Sequence, residues 1–386
     1  MNLIFILHNI YYIMATDSFG RLRVCASLNT FDYYPTPLSS TSNLDQDIWI
    51  TRTNGSGSAT FNTQNFIELS VSNTNDYVLR YTKQPMDYEP GKGRQVFMTG
   101  VLVNGTVGTN SITSRMGVCN YNENSLPNIV CGLYIETNGT TLYICSKNQV
   151  ETLKISQTEW NIDKFDGSGP SKQQLSSYNI SKIMLLIIDQ QWLGVGRVRI
   201  GFNIKGVSYY AHQFTHETYA CPYTTTPRLR FFYEIGATNL SGTTLSTRQL
   251  CCASMIESGF FPLGKKNSIG TSIDGVALKT AKNPYIILAL KLNPTYLNGT
   301  IKILGMTLLF SAVNGKISKY QIQLHSSYNS VGSISGTLTY SNLKDSICQY
   351  AIGTGNETIN TDGYILSSGF TQSNATISSD INDFET

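Results

Sequence analysis

The chain is short of charge. Acidic and basic residues make up 14% of its 386 residues, against roughly 25% in an ordinary globular chain. The two signs nearly cancel, 28 basic against 25 acidic. No Lys/Arg run and no acidic tail occurs, so the electrostatic footprint of a nucleic-acid binder is missing. Long apolar runs are missing as well. The most apolar stretch, Met1 to Met14, is too short to span a bilayer and has neither a basic leader nor a small-residue cleavage site. Residues 1–16 therefore read as a leader or arm, with Met14 as a second plausible start. Helical stripes are lacking too: each longer one is broken by Gly, Asn or a β-branched run.

Catalytic and metal-binding signatures are equally scarce. The eight Cys contain no CxxC pair, which removes the common zinc spacing. They read as buried thiols, with adjacent Cys251 and Cys252 pointing to opposite faces of a strand. The segment from His212 to His216 has the spacing of a zinc helix, but Gln213 stands where the general base belongs. In a strand those two imidazoles also lie about 13 Å apart. Gly332-Ser-Ile-Ser-Gly336 has Ile334 at the nucleophile position of a hydrolase elbow. Gly91-Lys92-Gly93-Arg94 lacks phosphate-loop spacing and reads as a turn. No catalytic, cofactor-binding or metal-binding residue is assigned, and no cofactor is expected.

What is present is β sequence. Tyr (23 residues), Val, Ile and Thr favour strands. The clearest run is Lys182 to His216. An apolar segment to Asp189 is followed by an alternating one to Ile204, a Lys205-Gly206 turn, and a return strand. Pairing Ile204 with Val207 puts Phe202 opposite Tyr209 and Ile200 opposite Ala211. The other face then has Arg199 opposite His212 and Arg197 opposite Phe214. Those four residues form a candidate subunit interface, because Arg and aromatics are enriched at contact surfaces.

Strand-like segments recur at a spacing of about ten residues, separated by turn pairs such as Asn104-Gly105 and Asn138-Gly139. The expected fold class is all-β. A jelly-roll-like or lectin-like β-sandwich covers 17–262, a linker 263–271, a smaller β domain 272–370 and a polar tail 371–386. Several of the N-x-[ST] patterns are Asn-Gly-Thr, at Asn104, Asn138 and Asn298, and the patterns read as turns.

One loop has the composition of a sugar site. Glu159, Asp163 and Asp166 cluster beside Trp160 and Phe165. Trp160, Asp163, Asp166 and Trp192 are the candidate sugar-binding set. The same residue types serve as loop anchors and turn caps. Two of the acids held a few ångströms apart would be the pair of a polysaccharide-cleaving enzyme.

Several strings resemble a family of uncharacterised structural proteins of tailed bacteriophages and large DNA viruses. They are DSFGRLRV (Asp17 to Val24), YTKQPMDYEPGKGRQVFMTGV (Tyr81 to Val101), EWNIDKFDGSGPS (Glu159 to Ser171), QQWLGVGRVRIGFNIKG (Gln190 to Gly206), YAHQF (Tyr210 to Phe214) and RLRFFYEI (Arg228 to Ile235). The resemblance spans roughly 17–260 and weakens after that. It implies a virion component (minor capsid, tail or fibre) acting by subunit assembly without catalysis. Its partners would be other virion proteins and further copies of itself, and it would be assembled in the host cytoplasm. The alternative expectation is a carbohydrate-binding or receptor-binding adhesin module. A polysaccharide-cleaving enzyme comes third.

Overall fold

The computed structural model describes residues 27–35, 44–105, 111–122, 127–175, 179–194, 196–215 and 221–257, then 266–272, 274–278, 284–296, 301, 303, 305–309, 317–324, 334–359, 364–372 and 376–380. The leader, the Asp17–Val24 string, His216, Gly332 and most of the polar tail lie outside the described residues. Contacts divide the chain into two units, Met1–Leu263 and Gly264–Thr386.

The first unit is a two-sheet antiparallel sandwich. Its strands are β1 Ser27–Tyr33, β2 Trp49–Asn54, β3 Ser58–Asn62, β4 Phe66–Asn73, β5 Tyr77–Thr82, β6 Arg94–Asn104, β7 Ile112–Tyr121, β8 Ile129–Thr137, β9 Leu142–Lys147, β10 Thr152–Ser156, β11 Met184–Gln190, β12 Val198–Ile204, β13 Val207–Phe214, β14 Arg230–Ala237 and β15 Ser241–Glu257. One sheet runs β13-β12-β11-β6-β15-β4-β3, with β1 added on β15 to make eight strands. The other runs β10-β9-β8-β7-β14-β5-β2. Alternation places Val96, Met98, Leu186, Ile188, Ile200 and Phe202 of the first sheet against Met116, Val118, Leu133, Ile135, Phe231 and Tyr233 of the second, all buried in one core. Each such side chain contributes about 1.5–3 kcal/mol of transfer free energy.

A second apolar cluster lies on the outer face of the seven-stranded sheet. Leu79, Tyr81, Cys119, Tyr121, Tyr134, Cys145 and Phe232 form it. In the second unit Ile286, Leu338 and Ala351 pack together, Ala351 coming from a small sheet of Leu288–Leu292, Cys348–Ile352 and Ser341–Asn342.

The Lys205-Gly206 turn forms with φ of 53° and 81°, the left-handed pair that a two-residue hairpin needs. Ile204 pairs with Val207 and Phe202 with Tyr209, as the sequence predicts. Beyond that the register breaks. Gly201 pairs with Tyr210 and Ile200 with His212, leaving Ala211 as an extra residue. The space that a side chain at Gly201 would need is taken by the Tyr209 carbonyl, 2.0 Å from an ideal Cβ. A β-bulge of this kind shifts every later residue to the opposite face. Arg199 consequently faces Gln213, and Val198 faces Phe214. The predicted opposition of Arg199 to His212 and of Arg197 to Phe214 is corrected on this point.

Candidate functional site

The bulge separates the four expected interface residues. His212 and Phe214 turn towards the core, are 7% and 4% exposed, and meet ring to ring at 4.6 Å. His212 Nδ1 accepts a hydrogen bond from the Asn161 amide at 3.3 Å, which suits a neutral imidazole. Burial pushes its pKa down to about 4. Arg199 lies on the other face, 1% exposed. It forms an ion pair with Asp189 on the adjacent strand, Asp189 also accepts from the Tyr210 hydroxyl at 3.1 Å, and the guanidinium stacks on the Tyr210 ring at 4.4 Å. Arg197 is half-buried just ahead of β12. The four side chains thus share no surface.

The acidic loop is built into the sandwich. Trp160 is 2% exposed and packs with Phe165 and Phe202 at 6.2 and 6.1 Å. Its indole N–H donates to the Ile155 carbonyl at 3.2 Å. The bulged Ala211 offers its carbonyl to the amides of Ile162 and Asp163 at 3.1 and 3.0 Å, so the irregularity in β13 is what holds this loop. Asp163 spends both oxygens on loop amides, Phe165 and Ser171, each at 2.8 Å. Those bonds support Phe165 at φ 51°, a conformation a bulky residue adopts only when its surroundings enforce it. Asp166 accepts from the Ser168 amide and hydroxyl at 2.8 and 2.5 Å, which hold its carboxyl below its ordinary pKa. Glu159 caps the turn through the Ser156 hydroxyl at 2.8 Å. The residues of this loop do come together, but as its internal scaffold.

A charge cluster on the seven-stranded sheet was not singled out from the sequence. Arg115 on β7 binds Glu136 of β8 at 2.6 Å and Glu234 of β14 at 2.9 Å. Lys154 adds a contact to Glu136 at 2.5 Å, and the Tyr121 hydroxyl meets Glu234 at 3.0 Å. Burial raises the pKa of Glu234 above the ordinary carboxyl value, against the pull of Arg115. Burial also acts to raise Glu136, but Arg115 and Lys154 outweigh it and the net shift is downward. Arg115 and Glu136 lie 21 residues apart, Glu136 and Lys154 18, and Glu234 is 119 residues from Arg115, so no local spacing signals them.

The remaining sugar-site residue, Trp192, stands apart from that loop. It lies in a cleft at one end of the sandwich, lined by Tyr88, Glu89, Lys92, Arg94, Gln190, Trp192, Pro227 and Ile256. Leu193 and Gly194 turn the chain with φ of 29° and 83°. Gly196 passes so close to the Gln191 carbonyl that a Cβ would lie 1.8 Å from it; this explains the tight Trp-Leu-Gly-Val-Gly string. The indole N–H of Trp192 donates to Thr224 at 3.1 and 3.0 Å, and the ring meets Tyr88 edge-on at 5.8 Å. The Leu193 amide donates to the Tyr88 hydroxyl at 3.3 Å. Trp192 and Tyr88 both remain partly exposed.

The floor of the cleft is polar. Arg94, the first residue of β6, pairs in register with Gln190 of β11 and Ile256 of β15. Arg94 and Gln190 are each 5% exposed. The cleft as a whole has room for roughly one water. Six of its eight lining residues come from two strings, Tyr81–Val101 and Gln190–Gly206, which the fold brings together; Pro227 and Ile256 come from elsewhere. The only local signal for Arg94 was a charge-dense turn, Tyr88 to Arg94, in a charge-poor chain. Among the described residues no cluster of His, Cys, Asp or Glu has the make-up of a metal site, and no helix is long and apolar enough to cross a membrane.

No protein-family model matches the chain, and no curated protein matches it. Solved structures with a related outline include a legume lectin-like domain from Entamoeba histolytica, 10% identical, with a TM-score of 0.36 over 59% of this chain and 98% of its own. An endo-1,3-beta-glucanase from Streptomyces sioyaensis is 11% identical, with a TM-score of 0.39 over 60% of this chain and 97% of its own. Arcelin-5, a lectin-like defence protein from Phaseolus vulgaris, is 9% identical, with a TM-score of 0.36 over 60% and 98%. Scores at this level carry no assignment of activity, and the β-sandwich rests on the strand order itself.

Proposed function

We propose that the first unit is a carbohydrate-binding β-sandwich of the adhesin kind, with the end cleft as its ligand site. The observation that supports this most directly is the Trp192–Tyr88 pair standing partly exposed over the polar floor of Arg94 and Gln190. Aromatic faces accept the C–H surfaces of a sugar ring, and a few convergent polar groups fix its orientation. The cleft has room for about one water, so a ring rests outside it and sends one substituent in. A glycan array probed with the full chain tests this reading. Expected is a set of hits that weakens at least tenfold in Tyr88→Ala and in Trp192→Phe; an array without hits overturns it.

The particle setting is a second proposal, supported by the resemblance of the strings between Tyr81 and Ile235. An adhesin carried on a virion would combine both expectations. Mass spectrometry of purified particles is the test, and absence of the chain from them ends that proposal.

A further inference from the structure

Arg94 is buried, yet it lacks the partners that other buried arginines have. Arg199 has Asp189. Even half-buried Arg115 has Glu136 and Glu234. Arg80 donates to Gln249 and Thr51 at 2.6 and 2.8 Å and to the Leu44 carbonyl at 2.5 Å. Arg94 enters no ion pair among the described residues, and its buried Nε has no hydrogen-bond partner. Of the acids nearby, Asp87 binds Arg228 at 2.7 Å, Glu89 binds Lys92, and Glu257 accepts from the Gly93 amide at 3.3 Å. An uncompensated buried cation is unfavourable, and this one lines the cleft beside the packed Tyr88–Trp192 pair.

We propose that Arg94 receives a carboxylate, and that the ligand of the cleft is an acidic sugar of the uronic acid class. This rests on the carbohydrate reading above and specifies its chemistry. A guanidinium presents a flat fork of donors that matches a carboxylate with two parallel hydrogen bonds. A planar carboxylate needs less room than a tetrahedral phosphate in a cleft that holds about one water. Gln190, paired in register with Arg94, can supply a further amide donor. Glu89 is no obstacle, since Lys92 already neutralises it.

The test uses the full chain and its tryptophan fluorescence, because Trp49 and Trp160 are buried and Trp192 alone of the three is partly exposed. D-glucuronate, D-glucose, acetate and inorganic phosphate are titrated at constant ionic strength. Expected is glucuronate binding at least tenfold tighter than glucose, weak acetate binding in competition with it, and little response to phosphate. Arg94→Met abolishes the glucuronate and acetate responses while its unliganded melting temperature stays level or rises. Arg94→Lys keeps the charge, loses the fork, and binds about tenfold more weakly. Equal binding of glucose and glucuronate overturns the carboxylate assignment and leaves the sugar reading standing. Acetate binding with no gain from either sugar overturns the acidic-sugar assignment together with the sugar reading, and leaves a bare carboxylate site. Phosphate binding as tight as glucuronate overturns the selectivity for carboxylate, and a silent titration overturns both readings. An Arg94→Met protein that melts well below wild type without ligand also overturns the proposal, because Arg94 is then a satisfied structural residue.

Discussion

Arg199 and Arg94 lie in the same eight-stranded sheet, and both are almost entirely buried, at 1% and 5% exposure. Their surroundings differ completely. Arg199 has Asp189 against it and the Tyr210 ring beneath it. Arg94 has an amide and an isoleucine as cross-strand neighbours, and nearby Asp87 and Glu89 are held by other cations. Burial pushes the pKa of Arg94 down to about 10, against the opposing charges of Asp87, Tyr223 and Tyr88, so it is still charged at neutral pH. Equal burial thus has two meanings. Where the counter-charge is built in, the arginine closes the fold; where it is missing, the fold leaves a place for something else.

Charge reversal at Arg199 is the most severe way to break this comparison. Arg199→Glu sets two carboxylates together in a buried site, and no cooperative unfolding transition should remain in a denaturant titration. The milder Arg199→Met strands Asp189 and should cost about 3–5 kcal/mol, whereas Arg94→Met should cost nothing. Equal losses at the two positions would erase the distinction. Trp160→Ala comes next, with a loss of about 3–5 kcal/mol in the same titration, as for a large aromatic removed from a packed core. Binding at the cleft should survive in whatever fraction stays folded; loss of binding from folded Trp160→Ala would join the two sites into one.

His212 gives a smaller effect with a definite sign. Its folded pKa of about 4 lies below the ordinary 6.5 because burial disfavours the charged ring. The unfolded state therefore binds the proton first as pH falls. The contribution is complete above about pH 6.5 and is lost between there and about pH 4, by roughly 2–3 kcal/mol. In His212→Gln that part of the pH dependence should vanish from denaturation curves, and its persistence would place the titrating group elsewhere. The smallest effect belongs to Asp166→Asn. Its carboxylate only organises an exposed turn at Ser168, so neither the melting curve nor binding should change measurably. A clear loss of sugar binding in this variant would restore the acidic loop as the ligand site.

The acidic loop and the cleft also differ in how legible they were. Trp160, Asp163 and Asp166 stand close in sequence and look like a site, yet their polar atoms are used within the loop itself. The cleft draws on positions 88 to 94, 190 to 192, 227 and 256, a spread that no local pattern displays. Trp192 was legible as an aromatic candidate; Arg94 read as part of a turn.

From the amino-acid order alone came the all-β class, the alternation of β12, and the Lys205-Gly206 hairpin with its first pairs, Ile204 to Val207 and Phe202 to Tyr209. These follow from two-residue periodicity and local turn chemistry, which act between near neighbours. The tertiary structure alone decided the bulge at Ala211, and with it which side chains of β13 face the core. A single extra residue exchanges the faces, and it persists here because its carbonyl anchors the Ile162–Asp163 loop, 48 or more positions away. The tertiary structure likewise decided which arginine was given a counter-charge, since that depends on strands that meet only after folding.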